Sequence, residues 1–189
     1  GNKLNYPIKV NKEEEKRLEL GARVLLKIQK NLNDNVILGE VIKVIGNRDD
    51  LDLDLKTILA ELEIPLDFSE ESLKELETFP DEVLEEELAN RIDFTNDPIV
   101  TIDCDNTKDM DDAVFVKKLD NGHYELDVHI ADVGHYVKKD SALFQDAYLK
   151  GTSVYMGNTV NPMIPHKLSN GLCSLNPNKI RLTRSTIIE

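Results

Sequence analysis

The chain has 189 residues, of which 40% are hydrophobic and 31% charged, with no tryptophan; this is the composition of a soluble globular protein able to bury one large core or two small ones. No run of about 18 apolar residues occurs, which excludes a helical membrane span, and the opening Gly1–Tyr6 lacks the apolar centre of a secretion signal. The formal net charge of −13 argues against a polyanionic partner, but the acidity is local: Glu61–Leu88 holds twelve acids and a single base, Lys74. Cys104 and Cys173 stand far apart without metal-ligand spacing, which suits reduced thiols and a cytoplasmic protein.

The first part of the chain reads as β-structure. Val24, Leu26 and Ile28 alternate on one face of Ala22–Ile28, a loop follows at Asn31–Asn35, and Val36–Ile45 makes a second strand. Two strands are too few for an independent sheet, so the expectation is a β domain entered partway, its earlier strands missing from these residues. From Asp52 the period becomes helical. Asp52 or Asp54 caps a helix carrying Leu55, Ile58, Leu59 and Leu62; Ser69 caps the next, with Leu73 and Leu76; a third starts near Pro80 and uses Leu84 and Leu88. These acidic helices read as a solvated connector. Beyond them, Pro98–Ile102 reads as a buried strand and Ala113–Val116 as another. Asp120-Asn121-Gly122 closes a hairpin between Val114–Lys118 and Tyr124–Ile130. Asp140 or Ser141 caps a helix that Gly151 ends; Thr159–Pro165, with two prolines, is an irregular loop; Ile180–Ile188 is a last strand.

Between the two central strands lies the segment Ile102-Asp-Cys-Asp-Asn-Thr-Lys-Asp-Met-Asp-Asp112. Five carboxylates this close repel one another unless a multivalent cation compensates them, which points to a divalent-metal site and phosphate chemistry. A calcium loop of the EF-hand kind fails, because Lys108 and Val114 stand where Gly and Glu are needed. Asp103-Cys-Asp-Asn-Thr107 fits a haloacid-dehalogenase-like phosphatase, with Asp103 as nucleophile and Asp105 as general acid, although a hairpin follows where that fold needs a helix. The third reading is a two-metal nuclease, which sets two cations about 3.5–4 Å apart and needs carboxylates from several directions. A non-catalytic RNA-binding module is the remaining alternative, supported by the opening β-strands alone.

Taken with its surroundings, Thr101–Ala113 resembles the opening of the catalytic domain of the ribonuclease II/ribonuclease R (RNB) family. The likeness continues through Val128-His-Ile-Ala-Asp-Val-Gly-His-Tyr-Val137, Gly151-Thr-Ser-Val-Tyr155 and Pro162-Met-Ile-Pro-His-Lys-Leu-Ser-Asn-Gly-Leu-Cys-Ser-Leu-Asn-Pro177. The resemblance implies an α+β architecture: the C-terminal part of an OB-fold cold-shock domain over residues 1–50, an acidic helical connector over 51–96, and the N-terminal part of an RNB catalytic domain over 97–189. It implies a processive 3′-to-5′ exoribonuclease that releases nucleoside 5′-monophosphates with two Mg²⁺ ions, Mn²⁺ serving as a substitute. The family's metal-site aspartates fall on Asp103, Asp109, Asp111 and Asp112, with Asp111 and Asp112 catalytic, and its base-stacking aromatic on Tyr155. The implied partner is the 3′ end of single-stranded RNA, bound by a monomer with no membrane contact. Because the family's downstream basic channel has no counterpart in these residues, the segment alone is expected to bind metal weakly and to cleave little RNA. His129 reads as a packed strand residue and Asp132 as a turn cap.

Overall fold

A computed structural model describes residues 7–33, 36–157 and 159–189 of the protein; the opening Gly1–Tyr6 and the tip of the first predicted loop, residues 34 and 35, lie outside the described residues. Strand β1 (Ile8–Lys9) and a single turn α1 (Lys12–Glu15) come first. Asn11 and Glu14 form a reciprocal capping box on that turn, each side chain accepting the other's backbone N–H. Strands β2 (Arg23–Asn33) and β3 (Val36–Gly46) then pair antiparallel, and β1 adds parallel to β3, in the order β1-β3-β2. The expectation of two strands is therefore corrected to three. A two-residue strand carries no periodicity for the sequence to reveal, yet Gly39 marks its approach: a Cβ there would meet Ile8 Cγ2 at 2.9 Å.

Helix α2 (Leu53–Glu61) completes the first unit and buries Leu53, Leu55 and Leu59. Ile58 and Leu62, expected on its apolar face, are 41% and 63% exposed; Leu62 has already left the helix. Asp52 occupies the N-cap position without capping. Its carboxylate instead meets Lys56 at 2.9 Å, one helical turn on.

The described residues divide into two compact units, one built from the chain up to Leu66 and counting Met156–Thr159, the other from Asp67–Tyr155 and Val160–Glu189. In the second, α3 (Glu70–Glu77) is capped by Ser69, whose hydroxyl accepts the Ser72 N–H and donates to Asp146 at 2.9 Å. The buried residue of α3 is Ser72, while Leu73 is 45% exposed. The third predicted helix is reduced to one 3₁₀ turn, Glu85–Leu88. Just before it, Asp81 pairs with Lys167, and Glu82 with Lys179 and Arg181.

The predicted strand over Pro98–Ile102 is absent. Val100 alone bridges Val114, by reciprocal hydrogen bonds of 3.0 and 2.9 Å; Pro98 offers no N–H, and Ile102 is 85% exposed. The hairpin is as expected: β4 (Asp112–Lys118) and β5 (Tyr124–Ala131) pair in register, and Gly122 takes a φ of +88° at the turn. The short turn α4 (Val133–Tyr136) and helix α5 (Ala142–Lys150) follow, α5 capped by Ser141 and ended by Gly151. Strands β6 (Val154–Met156) and β7 (Thr159–Asn161) form a small ribbon, so the stretch read as irregular begins with a strand. A π-helical turn at Leu168–Leu172 comes next, and β8 (Thr183–Ile188) closes the sheet β4-β5-β8. Leu143, Leu168, Leu172, Cys173 and Leu182, each at most 2% exposed, centre the core of this unit. The alternation of helical and strand segments amounts to the expected α+β class.

Candidate functional site

The acidic segment is held in two different ways. Asp103, Cys104, Asp105 and Asn106 are exposed, and a turn closed by the Thr107 N–H on the Cys104 carbonyl, 2.9 Å, joins their ends. From Lys108 the backbone is fastened to the core. The Ser174 hydroxyl accepts the Met110 N–H at 3.1 Å and donates to the Lys108 carbonyl at 2.8 Å. The Met110 carbonyl accepts from Leu175 at 2.8 Å, and the Asp111 carbonyl from Ala131 at 2.9 Å. Asp112 then opens β4 opposite Ile130.

Charge gathers at Asp111. Partial burial first, and then the negative charges of Asp109, Asp112 and Asp103, raise its pKa above the ordinary carboxylate value. The four aspartates singled out in the sequence thus lie within one electrostatic neighbourhood. Asp105 is not among the charges that act on Asp111 there. The Tyr155 hydroxyl donates to the Asp109 carboxylate; this bond, ahead of burial, raises the Tyr155 pKa. The Tyr155 side chain is 63% exposed, open to a stacking partner.

Among the described residues no three His, Cys, Asp or Glu side chains meet as a closed metal cage. Like charges repel, and after burial that repulsion is what raises Asp111. As a donor set, all-carboxylate oxygen suits hard divalent cations of the Mg²⁺ or Mn²⁺ type, and the convergence of negative charge on Asp111 fits such an ion. The phosphatase alternative lacks its scaffold, because Thr101–Cys104 is irregular where that mechanism places a buried strand.

Asp132 corrects the sequence reading most clearly. It stands at the N-cap of α4 but makes no capping bond. Instead it is 7% exposed and pairs with Arg91 Nη2 at 2.9 Å and Arg184 Nε at 3.0 Å. Burial alone would raise its pKa; the hydrogen bonds and charges of the two arginines together outweigh this and hold it below the ordinary carboxylate value. Arg91 Nη2 also faces His135 Nδ1 at 3.3 Å, and His135 Nε2 lies 2.6 Å from Glu87. A guanidinium only donates, so Nδ1 accepts and the ring proton sits on Nε2, donated to Glu87. These partners stand 41 and 52 positions from Asp132, beyond any local signal. His129 is buried as expected, with Nδ1 2.7 Å from Ser185 Oγ and its ring edge-on to Phe94.

Comparison with known proteins bears on the family and the fold. The model of the RNB domain matches residues 91–189, and that of the cold shock domain matches residues 1–69. Ribonuclease R 1 of Lactococcus lactis is 49% identical over 151 residues, which is 80% of this chain and 18% of that protein. Ribonuclease R of Thermotoga maritima is 48% identical over 152 residues, 79% of this chain and 21% of that protein. Among solved structures, Mycoplasma genitalium RNase R in complex with double-stranded RNA superimposes with a TM-score of 0.84 at 32% identity, covering 97% of this chain and 33% of that one. The yeast pseudonuclease Ssd1 shares the fold at a TM-score of 0.63 and 21% identity. The chain thus spans about a fifth of the length of the curated relatives it matches.

Proposed function

Because the chain belongs to the RNB family, with a cold shock domain ahead of its RNB residues, we propose that it supplies the metal-binding opening of a 3′-to-5′ exoribonuclease that hydrolyses RNA to nucleoside 5′-monophosphates. The observation that supports this is the RNB match over residues 91–189, within which the charges of Asp109, Asp112 and Asp103 act on Asp111. We place the cold-shock part at residues 1–50, the connector at 51–96 and the RNB part at 97–189.

In this reading Asp103, Asp109, Asp111 and Asp112 hold two Mg²⁺ ions, or Mn²⁺ in their place. Bound there, the pair supplies a nucleophilic water at neutral pH and stabilises the attacking and leaving oxygens of an in-line displacement. The protein's part is to fix the carboxylates. The backbone around Asp109, Asp111 and Asp112 is anchored at Lys108, Met110 and Asp111, so these carboxylates would face the ions, and across them the scissile phosphate, from a rigid edge. His129 is not needed as a base, and its burial keeps it from substrate. Tyr155 offers its exposed ring to the 3′-terminal base of single-stranded RNA, where stacking reads no sequence. The working unit is a cytoplasmic monomer; among the described residues no helix is long and apolar enough to cross a membrane. The 189 residues alone bind metal weakly and cleave little.

The test is digestion of 5′-labelled single-stranded RNA in Mg²⁺ by the protein at full family length. Stepwise shortening from the 3′ end, abolished by EDTA and restored by Mg²⁺ or Mn²⁺, is the expected result. Binding without shortening identifies a binding module instead, and phosphate release from small esters identifies a phosphatase. The same assay separates the two roles of Tyr155. Tyr155→Ala removes the ring and is expected to weaken RNA binding by about tenfold or more, since stacking on an aromatic is worth roughly 1–3 kcal/mol per base. Tyr155→Phe keeps the ring and loses only the hydroxyl that engages Asp109, so RNA affinity stays near that of the wild type. Equal affinities for the alanine and phenylalanine variants would remove Tyr155 from the RNA site.

A further inference from the structure

We propose that Ser174 is the positioning residue of the aspartate site, its hydroxyl setting the spacing of Asp109 and Asp111 by clamping the backbone on both sides of Asp109. The inference rests on the reading of these aspartates as metal ligands and names the residue that holds them in place. Ser174 is fully buried, at 0% exposure. Its one donor and an acceptor site are both spent on the aspartate loop: it donates to the Lys108 carbonyl at 2.8 Å and accepts the Met110 N–H at 3.1 Å. The next residue adds a third bond, from the Leu175 N–H to the Met110 carbonyl at 2.8 Å. Met110 is thereby held at its N–H and at its carbonyl, and it lies between the two aspartates.

The clamp is itself immobilised. The Ser174 carbonyl accepts from Arg181 Nε at 3.0 Å and from the Asn176 amide at 3.4 Å. Leu172 and Cys173, immediately before it, are 1% and 2% exposed in the core. The position of the core is therefore passed through residues 172–175 to Asp109 and Asp111. Asp103, Asp105 and Asn106 have no such tie to this segment among the described bonds. Without the hydroxyl, the Met110 N–H and the Lys108 carbonyl lose their partners, and repulsion between neighbouring carboxylates opens the loop. Outer groups that orient metal ligands are worth about 10–100-fold in metal affinity.

The 189-residue chain itself can be tested, with Mn²⁺ as the probe and paramagnetic broadening of backbone amide signals as the readout. In the wild type, broadening is expected around residues 103–112 and is expected to be lost in Asp111→Asn; if wild-type amides there are untouched by Mn²⁺, the metal-site reading fails and the proposal with it. Given that binding, Ser174→Ala is expected to move the half-point to at least about tenfold higher Mn²⁺, with the β4–β5 amides unmoved. A half-point equal to that of the wild type in a folded Ser174→Ala protein overturns the proposal while leaving the metal site intact. A purely structural serine would lower the unfolding midpoint without moving the Mn²⁺ half-point, which also counts against positioning. If the variant does not fold, hydrogen exchange in the wild type decides: a Met110 amide about 100-fold slower than that of Asn106 supports the clamp, and equal rates overturn it.

Discussion

Asp111→Asn is expected to lower RNA degradation by the protein at full family length by about a thousandfold or more while leaving RNA affinity within about threefold, an effect of the size seen when a group stabilising transition-state charge is removed. Asparagine keeps the shape of the side chain and, above all, the backbone carbonyl that accepts from Ala131, so β5 and the loop stay where they are. What is lost is one negative charge at the place where Asp109, Asp112 and Asp103 already act together. If the four carboxylates hold the cation pair proposed above, that pair would lose both a ligand and part of the field that retains it. Stability should change in the opposite sense. The folded protein raises the Asp111 pKa above its unfolded value, so ionised Asp111 opposes folding, and this penalty grows as pH rises through the carboxylate range. In the absence of metal, Asp111→Asn should therefore unfold at higher urea than the wild type at pH 7, with the difference vanishing below the unfolded carboxylate pKa of about 4. Lower activity with greater metal-free stability is the signature of a residue kept for its chemistry. A variant that loses stability and activity together would mark Asp111 as a structural residue.

The parts of this site that were legible in the sequence are those whose signal is local. The aspartates are crowded within a few positions, and crowding of like charge has few physical solutions. The hairpin that follows them is announced by Asn121-Gly122, and the caps Ser69 and Ser141 lie next to the helices they begin. What the sequence hid depends on distance. Ser174 meets Lys108 and Met110 across more than sixty positions, and a serine after a buried cysteine carries no mark of that role. Apolar content also misled. Pro98–Ile102 has the composition of a buried strand, yet only Val100 finds a partner; Pro98 cannot donate, and Ile102 is exposed at the start of the acidic turn. Conversely, Leu168 and Leu172 sit in a stretch whose flanking prolines suggest a loop, and they are the most deeply buried leucines of the unit together with Leu143. Hydrophobic pattern marks what is to be buried; the proline positions decide which backbone can carry it there.

Asp132 supports a prediction of nearly the same size on stability. Its carboxylate is 7% exposed and bridges Arg91, whose side chain is 28% exposed, to Arg184, whose side chain is 81% exposed. Breaking a buried pair by removing one partner typically costs about 3–5 kcal/mol. Arg184 can turn to water when released, which reduces the loss; Arg91 remains beside His135 with its charge uncompensated. Asp132→Asn is therefore expected to cost roughly 2–4 kcal/mol, or a thermal midpoint lower by about 10 °C for a unit of this size. Its pH dependence has a definite sign. The two arginines depress the folded pKa of Asp132 below its unfolded value, so the stabilisation is complete above the unfolded carboxylate pKa of about 4 and is lost as pH falls through the lower, folded one. Urea unfolding of wild type and Asp132→Asn should then differ fully at pH 7 and progressively less below about pH 4. The consequence reaches the aspartates, because Ala131, the residue before Asp132, holds the Asp111 carbonyl. Arg91→Lys is the complementary variant: a lysine keeps the charge but cannot face Asp132 and His135 with one planar group. If the gap between wild type and Asp132→Asn is the same at pH 7 and pH 3, the ion pair is not what Asp132 contributes.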